Sequence, residues 1–274
     1  QLVLIDVNKV KAHGEAMDLN HGLPFAKRNM LIYDGEYCDC HDADIVVIAA
    51  GVSQKEGEDR ISLLNRNLQV FKSIIDPIIK SGFDGIFLVA TNPVDIMTKI
   101  TLELSGFDPS RVIGSGTTLD TARLKYQIGK ELNVNAKDIH AYVLGEHGDS
   151  EFVAWENAMV GGNKCTDWLS KEQRHQISHN VQTSAYDVIA KKGNTCYGIG
   201  MCLMKITNAI LNDERDILTV SCYNIEHDIY FSKPAVVGKN GVEKQLYINL
   251  SENDTARLVN SINELQKVKD LINK

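Results

Sequence analysis

The chain has 274 residues, 43% of them hydrophobic and 24% charged, a globular make-up that excludes a disordered, collagenous or coiled-coil chain. Its 29 Lys and Arg against 36 Asp and Glu leave a formal charge of −7, so its field repels nucleic-acid phosphates and anionic lipid, and neither is an expected partner. The longest uninterrupted apolar run is residues 45–50, far short of the roughly 20 that cross a bilayer. No basic-then-apolar leader precedes a small-residue cleavage site, so a soluble, unexported chain is expected.

The chain opens on Leu2-Val3-Leu4-Ile5-Asp6, an apolar run ending in an acid, which reads as a strand already inside a fold. An acid there suits the ribose hydroxyls of a dinucleotide, or is an ordinary strand end; the glycine-rich turn that precedes such an acid by about 20 residues is expected to lie upstream. Residues 2–7, 45–50, 85–90 and 111–113 are strand candidates, the first three continuous and rich in Val, Ile and Leu as buried parallel strands are. From Ile61, the apolar residues Leu64, Leu68, Phe71, Ile75 and Ile78 recur at helical steps, with Pro77 kinking the last turn and Gly82 ending it. Strand-helix-strand order predicts a doubly wound parallel sheet.

Past about residue 115 the pattern changes. One helix is predicted through Ile177, Val181, Val188 and Ile189 up to Lys191-Lys192-Gly193, and another from Asn194 or Thr195 towards Leu211. Strands are predicted over 217–223, 228–237 and 246–250, with a turn at Lys239-Asn240-Gly241, giving an antiparallel sheet. Ser251-x-x-Asp254 then opens an amphipathic helix through Leu258, Ile262, Leu265 and Val268.

The six cysteines are too sparse for a disulfide scaffold and suit a reducing compartment; Cys38-x-Cys40-His41 lacks a second ligand pair, so it reads as a loop before a strand and no metal is expected. Gly114-x-Gly116 and Gly198-x-Gly200 lack the third glycine of a phosphate-binding turn and read as close-packing glycines. Residues 51–60, between a strand and a helix with glycines at 51 and 57, form either a lid carrying Gln54 and Arg60 over a ligand or a solvated loop. Thr91-Asn92-Pro93 follows another strand, where the Asn92 amide either shapes the turn or bonds a carbonyl or nicotinamide. Thr117-Thr118-Leu119-Asp120 starts a helix with a Ser/Thr cap; Asp120 and Arg123 share a face, as a surface ion pair or as an imidazole partner and a carboxylate clamp. Gly145-Glu146-His147-Gly148 projects an imidazole from a tight turn, which favours catalysis over packing.

In this order and spacing, Asp6, Gln54-x-x-Gly57-x-x-Arg60, Thr91-Asn92-Pro93, Leu119-Asp120-x-x-Arg123, the segment from Gly145 to Ser150 and Lys192-Gly193-Asn194-Thr195 resemble the NAD-dependent L-lactate and malate dehydrogenase family over nearly the whole chain. The resemblance implies a Rossmann-type dinucleotide-binding domain over 1–114, its first glycine-rich unit absent, and a mixed α+β substrate domain over 115–274. It implies hydride transfer with NAD, His147 exchanging the proton, Asp120 as its partner, Arg60 polarising the substrate carbonyl and Arg123 clamping its carboxylate. Asn92 holds the carbonyl side, Ser115 the nicotinamide carboxamide, and Ile199 packs on the nicotinamide ring. Gln54 stands where malate-specific members carry Arg, and Thr195 matches the lactate branch, so pyruvate and L-lactate are the implied substrates, with L-malate or another L-2-hydroxy acid as alternative. Lys125 and His140 occupy the family's sugar-bisphosphate anion site, although Lys is a weaker fork for phosphate than Arg. A cytoplasmic homo-oligomer, a tetramer acting in fermentation, completes the implied picture. The rivals are a non-catalytic relative and a metal-dependent hydrolase built on His41, His140 and His147.

Overall fold

The computed structural model describes residues 1–52 and 60–272, with the side chains of all of these but Arg60, Ile61, Leu271 and Ile272. The chain begins with β1 (Leu2–Leu4) and α1 (Lys9–Gly22), then β2 (Ile32–Asp34), which runs parallel to β1 with Leu2 opposite Ile32. Both α1 and β2 went unread in the sequence. The helix buries only Ala12 and Ala16, so its periodicity is faint; Asn8 caps it by accepting from the Lys11 N–H at 3.0 Å.

Next come β3 (Ile45–Ile48), α2 (Arg60–Ser81), β4 (Ile86–Val89), α3 (Val94–Ser105) and β5 (Val112–Gly114). β3, β4 and β5 pair in parallel, as the alternation of strands and helices predicts. Gly82, at φ 91°, stands just past the end of α2, where glycine tolerates a backbone that other residues resist. The parallel strands form a pair and a triplet that no hydrogen bonding joins among the described residues.

The second half carries α4 (Thr118–Leu132), then the short strands β6 (Ile139–His140), β7 (Val143–Leu144), β8 (Phe152–Val153), β9 (Met159–Val160) and β10 (Asn163–Lys164). Two helices follow, α5 (Lys171–Lys192), ended by Gly193 at φ 88°, and α6 (Tyr197–Leu211). The α5 positions Ile177 and Val181 are buried, whereas Val188 and Ile189 are exposed.

The predicted strands 217–223 and 228–237 each break in two. β11 (Asp216–Leu218) and β12 (Ser221–Asn224) join different sheets, as do β13 (Ile229–Ser232) and β14 (Ala235–Gly238). Pro234 has no N–H to extend a ladder, which parts β13 from β14. β14 turns through Lys239 and Asn240 into β15 (Gly241–Gln245), and β11, β14 and β15 form an antiparallel sheet. Residues 246–250 are not a strand: Leu246 makes one backbone bond to Pro234 O at 2.8 Å, and Ile248 and Leu250 pack on Leu144, Phe152 and Ala154. Their apolar character serves packing, leading into α7 (Glu252–Ile272), whose start Ser251 caps through the Asp254 N–H at 3.2 Å.

The β12–β13 hairpin adds antiparallel to β5 through Ser221 and Gly114, so one five-stranded sheet runs β13-β12-β5-β4-β3. Alternate residues of β4 face opposite cores. Phe87 and Val89 pack with Phe71 and Ile75 of α2, Met97 of α3 and Leu265 of α7; Ile86 and Leu88 pack with Ile206 and Ile210 of α6.

The close-packing reading holds at Gly114 and Gly116 but not at Gly200, around which a Cβ would meet nothing within 4 Å. At Gly116, φ is 54° and a Cβ would sit 2.4 Å from the Ser221 amide nitrogen. Gly116→Ala is therefore expected to destabilise the chain by about 2–4 kcal/mol, read as a lowered denaturant midpoint with unchanged slope.

Candidate functional site

The ends of β3, β4 and β5 are tied into one edge. Thr91 Oγ1 donates to Ala50 O at 2.7 Å, and Ser115 N donates to Val89 O at 2.8 Å. Asn92 is exposed at that edge and Ser115 is buried in it. In open α/β sheets this carboxyl edge is where ligands bind.

β7 runs into the His147 turn beside it. Gly145 takes φ 92°, exchanges backbone bonds with Ser232 at 3.0 and 2.8 Å, and leaves no room for a Cβ, which would lie 2.6 Å from Ser261 Oγ. Ser261 Oγ accepts the Glu146 N–H at 2.6 Å, and the His147 N–H donates to Asp95 Oδ2 at 2.8 Å. The turn is thus held from α7, β13 and α3 at once, fixing the direction of the imidazole.

His147 Nδ1–H donates to Asp120 Oδ2 at 2.7 Å, while Arg123 Nη1 donates to Asp120 Oδ1 at 2.7 Å. Asp120 is 2% exposed, so the pairing at i and i+3 is no solvated surface bridge. With Nδ1 engaged, Nε2 is the nitrogen left to exchange a proton with a ligand. The predicted helix start is right in place but not in chemistry: Thr117 precedes α4, yet its hydroxyl donates to Val143 O and makes no cap.

Burial works against a charged His147, but the hydrogen bond to Asp120 and the charge of that carboxylate outweigh it and raise the imidazole to about 9. Burial would push Asp120 up, and His147 and Arg123 together hold it below the usual carboxylate range. Asp95, buried, is raised to about 6 despite donors from the Ser221 hydroxyl and the His147 N–H. The site therefore holds a protonated imidazole at neutral pH, next to a guanidinium, as an acid to an anionic acceptor requires.

The other predicted residues fall in several places. Thr195 and Ile199 are half-buried around the start of α6, and a Cβ placed on Gly198 between them would lie 3.1 Å from the Leu119 side chain of α4, which brings that segment to the Asp120 helix. Asp6, half-buried past β1, accepts the Asn8 N–H at 2.9 Å and so helps shape the entry to α1. Lys125 on α4 is half-buried, with burial lowering its ammonium; His140 on β6 is exposed, and no hydrogen bond joins the two. Gln54 and Gly57 lie outside the described residues, as does the Arg60 side chain at the head of α2. Cys38 and Cys40 lie in a short 3-10 turn, Cys40 buried, and the His41 ring N–H donates to Ser81 O at 2.8 Å. His41 and His140 share no cluster with His147 among the described residues, so the three histidines of the metal-hydrolase rival do not assemble; His147 groups instead with Asp120 and Glu151.

Three residues here escaped the sequence reading: Asp95, Glu151 and Ser261. Asp95 stands three residues after Asn92 and Glu151 four after His147, spacings that were visible; their burial was not.

Residues 1–114 match the family model for the lactate/malate dehydrogenase NAD binding domain, and residues 117–274 match that for the lactate/malate dehydrogenase alpha/beta C-terminal domain. The chain is 46% identical to L-lactate dehydrogenase 2 of Bacillus cereus and 47% identical to L-lactate dehydrogenase 1 of Bacillus anthracis, each match covering 97% of this chain and 88% of the relative. Among solved structures, a lactate dehydrogenase from a Medee basin deep-sea metagenome library superposes with TM-score 0.97 at 48% identity, covering 100% of this chain and 90% of that one. The minor L-lactate dehydrogenase of Enterococcus mundtii, ligands bound, superposes with TM-score 0.95 at 41% identity, covering 99% and 90%. The chain belongs to the lactate/malate dehydrogenase family.

Proposed function

We infer that the protein interconverts pyruvate and L-lactate with NAD, His147 giving and taking the proton. The observation that carries this is the chain of 2.7 Å bonds from Arg123 through Asp120 to His147, beside the carboxyl edge of the parallel strands. The residues present suit the dinucleotide: Asp6 follows β1 in place for a ribose, Asn92 is exposed at the edge, and Ser115 and Ile199 offer a hydroxyl and an apolar side chain for the nicotinamide end. When bound, NADH supplies the hydride.

The chain's own residues do the rest. Arg123 and the protonated His147 give the carboxylate and carbonyl oxygen of pyruvate two positive partners. His147 donates from Nε2 as negative charge develops on that oxygen, and Asp120 keeps the ring oriented and charged until then. Arg60 adds fixed charge at the same oxygen, and residues 52–60 exclude water over it, roles that rest on the motif Gln54-x-x-Gly57-x-x-Arg60. Gln54 and Thr195 favour the methyl group of pyruvate over a second carboxylate.

The division at residue 114 into a cofactor half and a substrate half, a cytoplasmic setting and a fermentative role regenerating NAD belong to the same reading; six unpaired cysteines support a reducing compartment. A homotetramer is supported by exposed apolar faces, Val10, Met17 and Leu19 on α1 and Tyr197, Met201 and Met204 on α6. Following NADH absorbance with pyruvate and oxaloacetate side by side tests the whole. Pyruvate should give the higher kcat/KM, and equal or reversed values would move the chain to the malate branch.

A further inference from the structure

His147 sits among three carboxyl groups. Asp95 takes its backbone N–H and Asp120 its ring N–H. The third, Glu151, follows on the same turn, with a side chain 6% exposed and Oε2 3.9 Å from His147 Nδ1. That oxygen receives no hydrogen bond. The His147 Nδ1 and Arg123 Nη1 donors both point at Asp120. A buried, ionised carboxylate without a donor is among the costlier things a fold can hold. A neutral acid is not, because it needs only an acceptor, and Asp120 keeps free lone pairs on a carboxylate whose oxygen lies within 4.8 Å of one of Glu151.

We propose that Glu151 is a neutral carboxylic acid whose O–H donates to Asp120, making it a positioning residue that, with Arg123, holds the carboxylate on which His147 turns. The proposal rests on His147 being the proton donor of the reaction. Burial and the Asp120 charge both hold Glu151 well above its usual range, against the pull of His147 and Arg123. The groups that face it are Asp120 and Arg123 from α4, Asp95 from α3, Glu146, His147 and Asp149 on its own turn, His175 and His179 from α5, and Arg257 from α7. The last three line, with Glu151, a cavity of about 520 Å³. Neutrality matters for substrate. One fewer negative charge beside His147 leaves the site's positive groups free for an incoming carboxylate. A third donor on Asp120 also tempers its hold on the imidazole proton, so that His147 can still release it.

The test is infrared spectroscopy of the whole chain in D2O at pH 8, where Asp95, raised only to about 6, is ionised. A protonated-carboxyl stretch is expected in the wild type and should vanish in Glu151→Gln. The pH dependence of pyruvate KM gives a second readout. With Glu151 neutral, Glu151→Gln leaves the alkaline midpoint of KM in place; with Glu151 ionised, it removes a charge that supports His147⁺ and drops the midpoint by about one pH unit or more. Glu151→Ala, lacking any donor to Asp120, should lose kcat/KM at least about tenfold, and Glu151→Gln, whose amide donates, should recover most of it. No carboxyl band at pH 8 in a chain that reduces pyruvate overturns the proposal, whether or not the variants fold. A band in a chain that does not reduce pyruvate instead overturns the proposed reaction and leaves the neutral acid standing.

Discussion

Replacing His147 by Asn is expected to slow pyruvate reduction by about 10²- to 10⁴-fold, the span that a positioned general acid contributes. Asp120→Asn should fall in the same range for a different reason. In the wild type, the Asp120 carboxylate overrides burial and raises His147 to about 9, so the imidazole is charged throughout the neutral range. The sign follows directly. Pyruvate needs the protonated ring, so kcat/KM of the free enzyme should stay level through pH 7 and fall tenfold per pH unit above about 9. Without the carboxylate, the burial of His147 is unopposed from that side and favours the neutral ring, so the falling limb should move towards or below pH 6.5. Steady-state rates over pH 5–10 on the two variants check this. If Asp120→Asn keeps its limb near 9, the 2.7 Å contact with His147 is not what charges the ring.

Gln54→Arg carries the largest expected change in specificity. Oxaloacetate differs from pyruvate by a second carboxylate, and a buried carboxylate facing a neutral amide lacks the charge-assisted partner that would offset its desolvation. A guanidinium supplies a two-pronged partner. A gain of about 3 kcal/mol for that pair corresponds to about a hundredfold rise in the ratio of kcat/KM for oxaloacetate over pyruvate. Thr195 stays in this variant and keeps the pocket narrow, so the rise should fall short of a complete exchange of substrates. An unchanged ratio would detach residue 54 from substrate choice, and with it the main reason for placing the chain in the lactate branch.

What could be read from sequence was local. β4 declared itself because four apolar residues in a row are buried on both faces, and α2 because its stripe spans the whole helix. The His147 turn was legible from its glycines, and Gly145 and Gly148 both take a positive φ. What failed was tertiary. α1 hides its buried face in two alanines, and Leu246–Leu250 looks like a strand while serving as wall filler. The break at Pro234 was visible, but not that each half would join a different sheet. The Asp120–His147 pairing was foreseen, but through the family resemblance: local spacing singled out Asp120 and Arg123 on one helix face, and the packing of α4 against the β7 turn that carries Asp120 to His147 across 27 positions is encoded by no local spacing. Asp95 and Glu151 were passed over because a carboxylate near a turn is unremarkable until it is known to be buried.

The hairpin that extends the parallel sheet has a bearing on how the protein comes apart. Ser221 and Ser232, both from beyond residue 215, brace Asp95, the Gly145 backbone and the Thr117 amide, so the late part of the polypeptide supplies an inner strand to the sheet begun by the early part. Neither half can melt while the other keeps its edges paired. Unfolding should therefore be a single cooperative event, with loss of the catalytic turn and loss of the sheet appearing at one temperature.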